Sequence, residues 1–205
     1  AELDSCPYVS DEAREQLAKA SAPPIRPVVI GQGVRKLTVG GELVLSRHEK
    51  TFYNKTGLAA LVGSDISQAD LEAKLKVWNA FQFERVGLNL RPELVALKDV
   101  GGDAAAFAAK AKTIAETSEF NLILMTEDPE VMKAGVEACK FKRPLMYAAT
   151  AANVDAFGAL AKENDLPLAV KADSVEALIP LSDKLTAMGL KDLVLDPGSR
   201  EIKQS

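Results

Sequence analysis

Cysteine and histidine are scarce in this chain of 205 residues, which has two of the first and one of the second. Cys6 and Cys139, far apart and without secretory context, make no disulfide scaffold and fit a reducing, cytoplasmic compartment. A single histidine excludes an HExxH zinc helix, and neither a CxxC pair nor a Ser-His-Asp constellation is present. His48 lies in Arg47-His48-Glu49-Lys50-Thr51-Phe52-Tyr53 with no partner at ligand spacing, so it reads as a loop histidine bonded to a neighbour. Basic excess is missing as well: 25 Lys and Arg against 29 Asp and Glu leave −4, no footprint for nucleic acid. No apolar run approaches the roughly 20 residues that cross a bilayer, and no signal peptide opens the chain. Neither nucleic acid nor membrane is expected as a partner. The phosphate loops GxGxxG and GxxxxGK[ST] are also lacking, since Gly31-Gln32-Gly33 continues as Val34-Arg35-Lys36.

What is present is a repeated grammar, in a chain that is 47% hydrophobic and 26% charged. In NLILMTEDP, Leu122 to Met125 are apolar on both faces, as in a parallel strand covered by helices. Asp128 then offers a capping oxygen, Pro129 takes the first helical position, and Val131, Met132, Gly135, Val136 and Cys139 follow at helical spacing. The pattern recurs at Leu58–Val62, Leu94–Leu97, Leu145–Ala149, Leu168–Ala172 and Leu193–Leu195. Ser67, Asp103, Asn153, Ser174 and Ser199 stand as caps for the helices that follow, and Ser67 with Asp70 has capping-box spacing. Six alternating units predict a parallel sheet built by right-handed crossovers. With no phosphate loop, the expectation is a (βα)8 TIM-type barrel, α/β in class, truncated after about six strands. A barrel usually needs roughly 250 residues, so the chain is expected to be a piece of a longer one.

The preamble differs. Ser10, Asp11 and Glu12 open a helix from about Asp11 to Ala20, and Ser21-Ala22-Pro23-Pro24 ends it as a linker. The predicted domains are therefore 1–24 and 25–205. Val28–Ile30, Lys36–Val39 and Leu43–Leu45 read as a short β-meander, with a hairpin signal at Gly40-Gly41; in a barrel such a hairpin plugs the N-terminal end. Phe83 to Gly87 is expected as an extra turn at the end of the first long helix. Trp78 shares a helical face with Leu71, Leu75 and Phe81 and reads as core. Pro180 should kink its helix unless the helix starts near Ile179. Cys139, on an apolar stripe, reads as an inert core thiol.

Barrel chemistry gathers where strands end and βα loops begin. Those positions hold Asp65, Lys98, Asp99, Glu127, Asp128, Thr150, Asn153, Lys171, Asp173 and Asp196. Most carboxylates there are residues that helix capping demands. Lys98 and Lys171 are not, because capping does not ask for a lysine in a strand; acid–base chemistry or a Schiff base are the roles such a pair allows.

The strings LDSCPYVSDEAREQLAKASAPPI, LSRHEKTFYNKTG, NLILMTEDPEVMKAG, RPLMYAATAAN, LAKENDLPLAV and LVLDPGSRE span essentially the whole chain. Together they resemble the large (gamma) subunit of the corrinoid iron–sulfur proteins of the acetyl-CoA pathway. The resemblance implies a [4Fe-4S] domain, a (βα)8 barrel and a corrinoid (cobalt) domain in one polypeptide. It implies a carrier that takes a methyl group from a methyltetrahydrofolate or methyltetrahydropterin methyltransferase and hands it to acetyl-CoA synthase. Its partners would be those two enzymes and a small (delta/beta) subunit. Cys6 matches the last of four cluster cysteines and is the one metal ligand implied here. The other three would precede Ala1, the corrinoid domain would follow Ser205, and no DxHxxG motif occurs. This piece alone is therefore expected to hold neither cofactor, to be non-catalytic, and to serve chiefly as scaffold. The alternative is a pterin-dependent methyltransferase-like barrel enzyme, with Asp99, Asn153 and Asp196 around the pterin.

Overall fold

The computed structural model describes residues 9–21, 25–41, 54 and 56–199. Cys6, His48 and the Leu43–Leu45 run lie outside them. Two compact units divide the chain, Ala1–Pro27 with Gly40–Lys55 and Val28–Val39 with Thr56–Ser205. In the first, α1 (Asp11–Ser21) starts where Ser10 Oγ accepts the Ala13 N–H at 3.3 Å.

The second unit carries the repeat. After β1 (Val28–Ile30) and β2 (Leu37–Val39) come β3 (Ala59–Gly63), α2 (Gln68–Ala80), β4 (Phe83–Arg85), β5 (Leu88–Leu90) and β6 (Leu94–Lys98). Then follow α3 (Ala104–Thr117), β7 (Asn121–Met125), α4 (Pro129–Cys139), β8 (Leu145–Ala149), α5 (Val154–Asn164), β9 (Leu168–Lys171), α6 (Val175–Ala187) and β10 (Leu193–Asp196). Six strands form one parallel sheet in the order β10-β9-β8-β7-β6-β3. Each new strand joins the same growing edge. A doubly wound sheet would reverse direction at a switch point; this one never does, which is the order of a partial TIM-type barrel.

Strand alternation sorts side chains onto two faces. Val62, Val95, Leu97, Leu122, Leu124, Leu168 and Val170 are buried with Leu71, Phe107, Ile114, Val136, Phe157 and Leu185 of the helices. Leu94, Leu145 and Ala169 instead pack with Ile30 and Leu37, joined by Ile123 and Val194. Thus the β1–β2 pair covers the N-terminal end of the inner face; the hairpin expected at Gly40-Gly41 runs into residues outside those described.

Polar groups fix that plug. Gln32 N donates to Asn121 Oδ1 (2.9 Å), Asn121 Nδ2 donates back to Gln32 O (3.1 Å), and Gly31 N donates to Arg143 O (2.9 Å). Gly31 sits at φ +80, and a Cβ there would fall 2.0 Å from Asn121 Cγ, so only glycine fits. Arg35, 3% exposed, reaches Asn79 Oδ1 (2.6 Å), Pro92 O (2.8 Å) and Glu119 Oε2 (3.5 Å), with its guanidinium 4.4 Å from the Phe120 ring centroid.

Two local expectations change. Phe83 to Gly87 is no extra helical turn: β4 and β5 form an antiparallel hairpin, Phe83 opposite Leu90, around Val86 and Gly87, both at positive φ. Two positive-φ central residues are what a two-residue hairpin needs, and Phe81 breaks the helix with an extended conformation. Helix α6 starts at Val175 as its cap predicts, with Ser174 capping through the Ala177 N–H, so Pro180 lies inside it and one internal hydrogen bond is missing. Asn153 stands before α5 without giving it a side-chain cap bond; its amide is used elsewhere, as described next. Three further caps hold: Ser67 takes the Asp70 N–H, Asp103 the N–H groups of Ala105 and Ala106, and Asp128 those of Glu130 and Val131; the helix expected after Ser199 lies outside the described residues.

Candidate functional site

Each inner-facing series of the sheet runs from apolar to polar. Leu94 leads through Ala96 to Lys98, Ile123 to Met125, Leu145 to Tyr147, Ala169 to Lys171, and Val194 to Asp196. Register aligns these ends: Lys98 is opposite Met125, Met125 opposite Tyr147, and Lys171 opposite Asp196. Between β8 and β9 the register slips from Met146–Leu168 to Ala149–Val170, a bulge spanning Tyr147 and Ala148. Bulges of this kind re-aim side chains. Here Tyr147 Oη donates to Asp196 Oδ2, two strands away, at 2.5 Å.

The result is a mouth at the C-terminal strand ends, a cavity of about 350 Å³ lined by Lys98, Asp99, Met125, Thr126, Tyr147 and Lys171, with Glu127 and Ala148 at its margin. A neighbouring cavity of about 540 Å³ shares Glu127 and Lys171 and extends to Thr150, Asp173 and Leu181. The Lys171–Glu127 ion pair (3.3 Å) stands between the two.

Hydrogen bonds hold the rim. Thr126 Oγ1 donates to Asp99 Oδ2 (3.0 Å) and accepts the Asp128 N–H (3.1 Å), while Asp99 Oδ1 accepts the Gly102 N–H (3.1 Å). Asn153, buried, accepts the Thr150 N–H (2.7 Å) and donates to Glu127 O (2.8 Å) and Ala148 O (3.4 Å). It ties the β7–α4 loop to the β8–α5 loop, which uses up the amide that capping would have taken. Asp196 Oδ1 accepts the Gly198 N–H at 2.9 Å.

Of the residues singled out from sequence, Lys98, Asp99, Glu127 and Lys171 meet in the mouth, and Asp196 joins through Tyr147. Thr150 and Asp173 line the neighbouring cavity. Asp128 is a cap, and Asp65 does not line either cavity. Tyr147, Thr126 and Met125 were not foreseen. Tyr147 had one available signal: it stands two residues after Leu145 on a strand whose neighbour β9 ends its inward series on Lys171. Among the described residues no three His, Cys, Asp and Glu groups come together to hold a metal ion. Cys139 is no candidate ligand either, since burial pushes its thiol up from 9.0 to about 12.

A family model described as CO dehydrogenase/acetyl-CoA synthase delta subunit matches residues 27–204. The chain is similar to the corrinoid/iron-sulfur protein large subunit of Moorella thermoacetica, 45% identical over 205 residues, which is 100% of this chain and 46% of that protein. It is also similar to the acetyl-CoA decarbonylase/synthase complex subunit gamma of Methanopyrus kandleri, at 38% identity over 97% of this chain and 43% of the relative. For the gamma subunit of Methanothermobacter thermautotrophicus the identity is 32%, over 96% of this chain and 43% of the relative. The chain thus spans less than half the length of each of these relatives.

Proposed function

The chain belongs to the CO dehydrogenase/acetyl-CoA synthase delta subunit family, and on that footing we propose that it works within a corrinoid iron–sulfur methyl carrier. In this reading the whole protein accepts a methyl group from a methyltetrahydrofolate or methyltetrahydropterin methyltransferase and delivers it to acetyl-CoA synthase, in company with a small subunit. Residues 25–205 are its scaffold barrel and residues 1–24 the end of its iron–sulfur domain. The described residues do not fit an iron–sulfur cluster or a cobalt, because no suitable group of ligands converges among them. Cys6 would hold the cluster with three cysteines from outside these 205 residues, and the corrinoid would likewise bind outside them. When bound, the cluster supplies single electrons and the corrinoid carries the methyl group; this chain's part is to place them.

The scaffold assignment rests on the state of the three groups that a pterin would need. Asp99 is bonded to Thr126 and Gly102, Asn153 to three backbone groups, and Asp196 to Tyr147 and Gly198. Breaking such bonds to admit a ligand leaves polar groups unsatisfied, so the methyltransferase-like alternative gains nothing from the geometry.

Cys6→Ser in the native full-length polypeptide should abolish the cluster's visible absorption and its iron, while co-elution with the small subunit on size exclusion persists. Full iron content in that variant would refute the role given to Cys6. Calorimetry with a methylpterin lacking the glutamate tail should register no binding; a saturable isotherm would return the enzyme reading to the front.

A further inference from the structure

We propose that the mouth at the ends of β6 to β10 is a binding site for a small oxyanion, a carboxylate or a phosphate, gripped by Lys98 and Lys171. A mouth so rich in Asp and Glu suggests a cation at first sight. The donor and acceptor inventory says the reverse.

Its carboxylates are each already engaged. Both oxygens of Asp99 are taken, by the Thr126 hydroxyl and the Gly102 N–H. Both oxygens of Asp196 are taken, by Tyr147 Oη and the Gly198 N–H. Asp128 serves the first turn of α4, and Glu127 gives Oε1 to Lys171. Its donors are not spent. Lys98 lines the cavity, and its ammonium makes no hydrogen bond or ion pair with any described residue. Lys171 has one partner at 3.3 Å, which leaves ammonium hydrogens unused. An ion pair whose side chains are 35% and 62% exposed is weak, so Glu127 yields Lys171 readily to a better acceptor. What the mouth has to spare is ammonium hydrogens.

Geometry agrees with this inventory. Lys98 and Lys171 are the last inward residues of β6 and β9, with Met125 and Tyr147 in the same layer between them. Three strand spacings come to about 14 Å, a gap that two flexible four-carbon arms close when both ammoniums turn toward one anion. Met125, Ala148 and the Tyr147 ring give the cavity an apolar part of its lining, beside which charge-assisted hydrogen bonds strengthen. A cavity of about 350 Å³ admits a small organic acid or a phosphate ester. The site involves neither cobalt nor cluster, so it stands or falls apart from the methyl-carrier reading.

The test is calorimetry on the native full-length polypeptide at constant ionic strength in a phosphate-free buffer. Inorganic phosphate and malonate are titrated separately, so that the two arms separate phosphate from carboxylate ligands. Saturable one-site binding of at least one of them is expected, weakened about tenfold by Lys98→Gln or Lys171→Gln. Lys98→Arg should retain it, Glu127→Gln should tighten it by freeing Lys171, and Lys112→Gln on α3 should leave it unchanged. Failure of both anions to saturate overturns the proposal. So does equal weakening by Lys112→Gln, which would mean general charge attraction. Thermal melts of the variants, none of them changed at a buried position, confirm that folding is not the variable.

Discussion

Cys139 illustrates how strongly one side chain is governed by where its helix turns. It is fully buried at the end of α4, with its Sγ donating to Gly135 O at 3.2 Å. Burial raises its thiol from 9.0 to about 12, because the thiolate would lose its hydration. The folded chain keeps this proton at pH values where the unfolded chain has lost it. The stability it contributes is therefore complete below pH 9 and declines as pH climbs toward 12. In a Cys6→Ser background, iodoacetamide at pH 8 should leave Cys139 unmodified until urea unfolds the protein. Rapid alkylation of the native state would mean that α4 opens locally. The inertness of Cys139 was legible from its place on an apolar stripe. Asn153 was not legible in the same way, since a cap and a loop tie call for the same amide before the same helix. Only the positions of Glu127 O and Ala148 O decide between them.

Elements were legible where their signals are local. Six strands and the five described helices that follow them lie close to where apolar runs and capping residues put them, because a cap, a proline and a stripe act within a few residues. The β4–β5 hairpin escaped notice for a matching reason. Its turn uses Val86 at φ +49, a conformation that β-branched residues rarely adopt, so no Asn-Gly or Asp-Gly signal marks it. Helix–helix contact was also hidden, and Gly135 is its clearest case. A Cβ there would stand 2.5 Å from Phe107 Cε1, so α3 and α4 approach as closely as they do only because this residue is glycine. Gly135→Ala should cost about 1–3 kcal/mol by overpacking and lower the melting temperature by several degrees. Pairing it with Phe107→Leu should restore part of the loss, a coupling that a double-mutant cycle reads directly. Additive losses would show that Phe107 is not what the new methyl meets.

At the scale of the sheet, the order of strands followed from even spacing and the missing phosphate loop, whereas convergence at the mouth did not. Lys98, Tyr147, Lys171 and Asp196 are separated by long stretches of chain and meet only through register and the bulge in β8. The middle strands are almost wholly buried, but Leu61 on β3 is 62% exposed and Leu195 on β10 is 53% exposed. Protection from amide exchange should accordingly peak in β6 to β9 and fall off at β3 and β10. Uniform protection across all six strands would indicate one indivisible cooperative unit.

Since every strand pairs with the one made just before it, the sheet can be assembled in the order of synthesis. As the polypeptide leaves the ribosome, each emerging strand–helix unit finds a finished edge waiting and covers it, leaving one fresh edge behind. Neighbouring units need little loop closure, so nascent chains of this kind pass through few long-range searches. At any moment during translation, the sticky strand edges offered to chaperones or to other nascent chains are only two, β3 and the newest strand.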